Sequence, residues 1–124
     1  MKQYIPGKKD VIAVDLDGTL AASLPEYTYE KHYAVIGPPV PRMVKRVKKW
    51  LDKGEKVVIL TARMHSSEHP DRQREIRNNI RRWCKKYLGK ALPVTSEKHH
   101  SFTVIYDDRA RQVIRDTGKI VKEK

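Results

Sequence analysis

The chain has 124 residues, of which 27 are Lys or Arg and 15 are Asp or Glu, so its formal net charge is +12. This length predicts a single domain spanning 1–124, and the 39% hydrophobic content excludes a disordered chain. The longest apolar runs are too short to cross a bilayer, no signal core is present, and the single Cys84 fits a reducing compartment. We therefore expect a cytoplasmic protein without a membrane partner, whose charge favours polyanions.

Three short apolar runs predict buried strands. They cover 11–14, 57–60 and 102–106, and weaker strand candidates lie at 92–95 and 119–122. Apolar runs without alternation are typical of strands that are buried on both faces, as in a parallel sheet.

Helical periodicity occupies the segments between these strands. Apolar residues three and four positions apart predict a helix over 40–51, ended by Gly54 in a left-handed conformation. A second helix is predicted after Pro70, with its end at Gly89, and a third over 109–116. Alternating strands and helices predict an α/β fold, a three-layer sandwich with a Rossmann-like, mostly parallel sheet.

Polar side chains follow each of the three main strands. They are Asp15, Asp17, Thr61, Arg63, Asp107 and Asp108. Ligands of open α/β sheets bind at the carboxyl ends of the strands, where four carboxylates would repel one another. A hard cation such as Mg²⁺ would relieve that repulsion, and a hydroxyl and a guanidinium suit phosphate oxygens. The sequence therefore predicts a phosphoryl-transfer site.

The segments around these residues resemble the motifs of the haloacid dehalogenase (HAD) superfamily of phosphohydrolases. VIAVDLDGTL is similar to the first motif, ILTAR to the second and VIYDDRA to the acidic fourth, and they occur in the family's order. The resemblance implies a HAD-like fold and a Mg²⁺-dependent phosphatase, a hydrolase of phosphoric monoesters.

The resemblance also implies roles for individual residues. Asp15 would be the nucleophile that forms an aspartyl-phosphate, and Asp17 would act as general acid and then general base. Thr61 would hold a phosphoryl oxygen, unless it only caps the following segment. The metal site would consist of Asp15, Asp107, Asp108 and the backbone carbonyl of Asp17. Gly18, Thr19, Ala62, Arg63 and Arg109 would complete the substrate-binding set.

Three of these assignments have alternatives. Arg63 would otherwise pair with an acidic neighbour, and one of Asp107 and Asp108 would cap the segment that starts at Arg109. The family's third motif requires a lysine, for which Lys98 is the best candidate and Lys90 the alternative. Few residues separate Lys98 from the last strand, so the usual crossover helix before that strand is expected to be missing or reduced.

Two histidine pairs and one long loop complete the set of candidate features. His65 with His69 and His99 with His100 are expected to be solvated or close to substrate rather than zinc ligands. The segment 21–39 is expected to be a long loop with at most a short helical turn, too small for a cap domain. A site without a cap is open to large substrates.

The basic residues favour a nucleic-acid substrate. Both long helices carry an excess of cations, at Arg42, Lys45, Arg46, Lys48, Lys49 and Lys53 in the first and at Arg72, Arg74, Arg77, Arg81, Arg82, Lys85 and Lys86 in the second. Such an excess attracts phosphate backbones, although a solvated polar face is the alternative. Aromatic residues could stack on bases. The candidates are Tyr27, Tyr29, Tyr33 and Trp83, the last with core packing as its alternative.

The layout from ILTAR through the basic helix to VIYDDRARQVI is similar to the phosphatase domain of phage polynucleotide kinase-phosphatases. That resemblance implies removal of 3′-phosphates from DNA or RNA ends. The alternatives are a nucleotide or sugar-phosphate phosphatase whose lid comes from a homodimer partner, and a catalytically silent nucleic-acid-binding module. The physiological substrate and the oligomeric state are left open by the sequence.

Overall fold

The computed structural model describes residues 10–26, 29–65 and 69–122. The strands are β1 (Val11–Asp15), β2 (Lys56–Leu60), β3 (Val94–Thr95) and β4 (Phe102–Tyr106), and the helices are α1 (Tyr29–His32), α2 (Pro41–Asp52) and α3 (Pro70–Leu88). All neighbouring strands are parallel, in the order β3-β2-β1-β4. The α/β fold with a Rossmann-like parallel sheet is therefore confirmed.

The two long helices begin and end at residues whose local chemistry explains the boundary. Pro41 opens α2, and Pro70 opens α3, where the missing proline N–H costs nothing. Gly54 and Gly89 follow the helices with φ angles of +81° and +82°, a conformation that side chains with a Cβ disfavour. The helix ends predicted at both glycines are confirmed.

The hydrophobic core lies between the sheet and these two helices, which contact each other on one face of the sheet. It contains Ile12 and Val14 of β1, Val57 and Ile59 of β2, Met43 and Val47 of α2, and Ile76, Ile80 and Cys84 of α3. Each aliphatic side chain buried in this way stabilises the fold by about 1.5–3 kcal/mol. The predicted burial of Cys84 is confirmed, and burial raises the pKa of its thiol to about 11.

The opposite face of the sheet carries a smaller apolar row. Ala13 lies between Val58 and Ile105 in register and is fully buried, whereas its two neighbours are half-buried and lie outside the main core. Within the described ranges no helix forms a second layer on this face. The edge strand β4 is half-buried along its whole length, so the expectation that it is buried on both faces is wrong.

The chain after β4 differs from its prediction. The helix predicted over 109–116 is wrong: Val113 pairs with Ile120 as an antiparallel bridge, and Ile114 N–H donates to the Lys119 carbonyl at 2.7 Å. The turn between them has Asp116 and Gly118 at positive φ. A glycine, an aspartate and adjacent β-branched residues favour a turn over a continued helix. The weak strand candidate at 119–122 supplies the second half of this carboxyl-terminal hairpin, opposite Val113.

The connection from β3 to β4 is short. Thr95 lies beside Leu60 at the carboxyl end of β2, whereas Phe102 lies beside Val11 at the amino end of β1. Residues 96–101 therefore carry the chain from one end of the sheet to the other without a helix. The expected loss of a crossover helix at this point is confirmed.

The segment 33–39 is bound along α3 by side chains spaced one helical turn apart. Asn79 donates to the Ala34 carbonyl, and the Trp83 indole N–H donates to the Gly37 carbonyl at 3.1 Å. A Cβ on Gly37 would collide with the Ala22 carbonyl oxygen, so this close approach requires glycine. Trp83 is only 8% exposed, which makes it part of the core and leaves it unable to stack on bases.

The rest of the loop agrees with its prediction. Its one helical turn is α1, and no other regular element interrupts the described part of 21–39. Tyr27 and the side chain of Tyr29 lie outside the described residues. The Tyr33 hydroxyl donates to Glu75, and the Arg72 guanidinium lies 4.7 Å from the centre of the Tyr33 ring. Tyr33 therefore contributes to holding the loop on α3.

None of the helices that the structure describes has the length and apolar character needed to cross a membrane.

Candidate active site

Three carboxylates meet at one edge of the sheet. Asp15 is the last residue of β1, and Asp107 and Asp108 come directly after β4, which is the parallel neighbour of β1. Because parallel neighbours end at the same edge, these side chains converge, and one oxygen from each lies within 4.8 Å of the other two. The predicted meeting of Asp15, Asp107 and Asp108 is therefore seen in the structure.

The turn after β1 brings Asp108 close to Asp15. Gly18 has a φ of +86°, and a Cβ there would lie 2.6 Å from an Asp108 carboxylate oxygen. The Thr19 hydroxyl lies 3.2 Å from Asp108 Oδ1 and 3.4 Å from Asp15 Oδ2. Gly18 thus leaves room for the acidic cluster, and Thr19 ties the turn to it.

The acidic cluster raises the pKa of Asp15 from 3.8 to about 7. Burial is the largest cause, followed by the hydrogen bond with Asp108 and by repulsion from Asp107, Asp108 and Asp17. Every one of these effects favours the protonated form. In the absence of a cation, these effects therefore favour the protonated carboxyl group of Asp15.

The donor set of the cluster fits a hard divalent cation. All three side chains offer carboxylate oxygens, which Mg²⁺ and Ca²⁺ prefer and which thiolate-seeking metals do not. Asp15, Asp107 and Asp108 are therefore the residues that would hold the ion.

We expect stability without divalent cations to decrease as pH rises from about 4 to about 7. The pKa of Asp15 is about 7 in the folded protein and lies near 3.8 in the unfolded chain. The folded state therefore binds the proton more tightly over this interval, and deprotonation disfavours folding. Thermal unfolding in EDTA would measure the decrease, and Asp15→Asn should make it smaller. An equally steep decrease in that variant would contradict the assignment.

Arg63 does not point its donors at an open cleft. Its Nε and Nη2 atoms each donate to a carboxylate oxygen of Asp17 at 2.8 Å, and Nη1 donates to the carbonyls of His32 and Tyr33. The Arg63 side chain is 3% exposed and that of Asp17 is 35% exposed. Arg63 therefore pairs with an acidic neighbour, which was the alternative to phosphate binding. Its described contacts position Asp17 and the loop after α1.

Asp17 is accordingly separate from the three-carboxylate cluster. Both of its side-chain oxygens accept from Arg63, and its carboxylate is not part of the group that converges with Asp15. Each carboxylate oxygen keeps a second acceptor position, and the side chain is partly exposed, so Asp17 can still exchange a proton with a ligand. Its predicted metal contact through the backbone carbonyl stays a prediction.

Thr61 directly follows β2, at the same edge of the sheet as Asp15. Its side chain is buried, and its hydroxyl oxygen accepts from the Arg63 backbone N–H at 3.2 Å. This bond caps the short 3-10 turn at Ala62–Met64, the alternative role expected for Thr61. Because the oxygen is the acceptor, the hydroxyl hydrogen stays available to a phosphoryl oxygen. Ala62 is exposed at the start of the turn.

The remaining predicted residues are exposed. Lys98 lies in the connection 96–101 and forms no ion pair with a described residue, and no cation contributes to the pKa shift of Asp15. Lys90 follows α3 and is exposed as well. The side chain of Asp107 accepts from the Arg109 backbone N–H at 2.7 Å. Asp107 is therefore the acidic residue that caps the segment at Arg109, although no helix follows.

The histidine pairs have local contacts. His69 caps α3 by accepting from the Asp71 N–H, and His65 contributes its carbonyl to Gln73. His99 and His100 are exposed and stack with ring centroids 4.2 Å apart. In the described part of the chain, only the three aspartates converge as a group of potential metal ligands.

Sequence reasoning missed the contacts that hold the loop beside the site. Glu75, Asn79 and Trp83 occupy one stripe of α3, four residues apart, and bind the segment 33–37. The partners of Asn79 and Trp83 are backbone carbonyls, and that of Glu75 is the Tyr33 hydroxyl, which no sequence pattern identifies.

Comparisons with known proteins support the fold but identify no family or activity. A scan against protein families finds no match, and no curated protein matches the chain. A conserved protein of Bacteroides thetaiotaomicron has a similar structure, with a TM-score of 0.51 and 22% sequence identity over 81% of this chain and 76% of that one. At this identity the likeness shows the fold alone, a small Rossmann-like α/β domain.

Proposed function

We propose that this protein is a Mg²⁺-dependent phosphomonoesterase of the HAD type, acting on phosphorylated ends of DNA or RNA. The observation that carries the proposal is the convergence of Asp15, Asp107 and Asp108 at the carboxyl edge of a parallel sheet, with oxygens within 4.8 Å of one another. Three acidic groups so close together are unfavourable unless they bind a cation. The resemblance of the strand-end motifs to those of HAD phosphatases supports the same chemistry.

In the proposed reaction an oxygen of Asp15 attacks phosphorus and displaces the substrate oxygen, forming an aspartyl-phosphate. Asp17 donates a proton to the leaving oxygen and later takes one from the water that hydrolyses the intermediate. Arg63 holds Asp17 through two hydrogen bonds of 2.8 Å. The free hydroxyl hydrogen of Thr61 would bind a phosphoryl oxygen.

Bound Mg²⁺ would supply positive charge for the phosphoryl oxygens and would neutralise the cluster. Asp15, Asp107 and Asp108 would hold it. The lysine of the third motif stays assigned to Lys98, or to Lys90, as part of the proposal.

The proposed substrate class depends on charge and on access. The chain carries a formal charge of +12, and the cationic residues of α2 and α3 are exposed. An excess of this size attracts nucleic-acid backbones. The described part of the loop over 21–39 contains one short helix, and Asp107 and Asp108 are exposed, so the acidic edge is accessible to the end of a polymer.

A phosphate-release assay tests both parts of the proposal. We expect release from a 3′-phosphorylated oligonucleotide to need Mg²⁺ and to slow as salt rises, while release from a mononucleotide depends little on salt. Equal rates without salt dependence would contradict the nucleic-acid assignment and favour a small-substrate phosphatase. No release from any phosphomonoester would contradict the enzyme itself and favour a binding module.

A further inference from the structure

A groove runs over the outer surface of α2 and α3. Its larger part has a volume of about 770 Å³ and is lined by residues of both helices, among them Lys45 and Tyr87. A smaller part of about 240 Å³ is lined by Trp83, Lys86 and the same Tyr87, together with Ala34 of the loop. Tyr87 lines both parts, so the two depressions are adjacent.

The walls of this groove are cationic. Five exposed basic residues line it and are here called the groove cations: Lys45, Lys48, Lys49, Arg82 and Lys86. Asp52 is the acidic side chain in the lining. No groove cation forms an ion pair with a residue that the structure describes. Successive turns of a helix place such side chains about 5.4 Å apart. The groove therefore presents a row of unneutralised positive charges.

The floor of the groove is apolar and aromatic. Pro41, Val44 and Tyr87 line the larger part together with the cations of α2, and the Lys86 ammonium lies 5.1 Å from the centre of the Tyr87 ring. Cations that follow a backbone, beside an apolar floor that contacts bases, are the two features of single-strand binding surfaces. An acidic peptide would use the cations but would leave this floor without a partner.

One end of the groove approaches the acidic site. Ala34 lines the smaller part of the groove and directly follows Tyr33, whose carbonyl accepts from Arg63 at 3.0 Å. The same guanidinium pairs with Asp17. The smaller part of the groove is therefore linked to Asp17 through Ala34, Tyr33 and the buried guanidinium of Arg63.

We infer that the groove between α2 and α3 binds single-stranded nucleic acid. This binding does not depend on the proposed function. The groove cations contact phosphates, and the floor contacts bases.

Binding of a labelled oligothymidylate of about 12 nucleotides without a terminal phosphate, followed by fluorescence anisotropy, tests the groove directly. The variant Lys45→Ala/Lys48→Ala/Lys49→Ala should bind at least about tenfold more weakly, and the slope of log K against log salt should become shallower by about 2. Alanine is a strong helix former, so α2 is expected to stay folded.

The matched control, Arg115→Ala/Lys119→Ala/Lys122→Ala, removes the same charge from exposed positions of the carboxyl-terminal hairpin. It should keep most of the affinity; equal weakening in both variants would overturn the groove assignment. Binding of a duplex as tightly as a single strand, or displacement of the strand by polyglutamate at equal charge concentration, would overturn the choice of ligand. Unchanged strand binding with no hydrolysis of any phosphomonoester would overturn the proposed function and leave the groove intact.

Discussion

Asp15→Asn is expected to lower Mg²⁺-dependent phosphatase activity by at least about 10³-fold, because the amide oxygen cannot form the phosphorylated intermediate. The side chain keeps its shape and loses its charge. Since burial and repulsion within the acidic cluster both raise the pKa of Asp15, removing its charge should leave the metal-free protein at least as stable as the wild type. Loss of activity would then be chemical and not a consequence of unfolding.

Phosphate release from an oligonucleotide and thermal unfolding in EDTA would measure the two effects. Asp116→Asn is the matched control, since Asp116 lies in the exposed turn of the hairpin at a φ of +64°, a conformation that asparagine also adopts. The control should keep full activity. Activity of Asp15→Asn within about tenfold of the wild type would rule out the proposed nucleophile.

Arg63→Lys is expected to lower kcat by about 100-fold and to reduce the free energy of unfolding by about 2–4 kcal/mol. A lysine keeps the charge but cannot hold both oxygens of Asp17 and the carbonyls of His32 and Tyr33 at the same time. The carboxylate of Asp17 would lose its fixed orientation, and buried acceptors would lose their donors.

Steady-state kinetics distinguish a positioning residue from a phosphate ligand. If Arg63 positions Asp17, kcat falls while KM changes little, and Asp17→Asn adds little further loss in the double variant. A large rise in KM with additive losses would show direct phosphate binding instead. Arg115→Lys is the control, because Arg115 pairs with Asp116 at 4.0 Å on the surface, with both side chains about nine-tenths exposed, and such pairs contribute little.

The elements that depend on local chemistry were predictable from the sequence. The apolar runs of β1, β2 and β4 and the stripes of α2 and α3 identify buried faces, and Gly54 and Gly89 mark helix ends through their backbone conformation. The prediction of a helix over 109–116 was wrong because the stretch with Val113 and Ile114 is also compatible with a hairpin. The choice between the two was decided by the hydrogen bonds of the turn beyond it.

For the site, the sequence by itself determined which residues end the strands, and so the convergence of Asp15, Asp107 and Asp108. Parallel strands bring their carboxyl ends to one edge whatever else surrounds them. Only the tertiary structure decided the partner of Arg63, since its contacts join segments about 30 and 46 residues away in the chain. It likewise decided that the cations of two separate helices line one groove, because helix packing, and not sequence spacing, sets which faces meet.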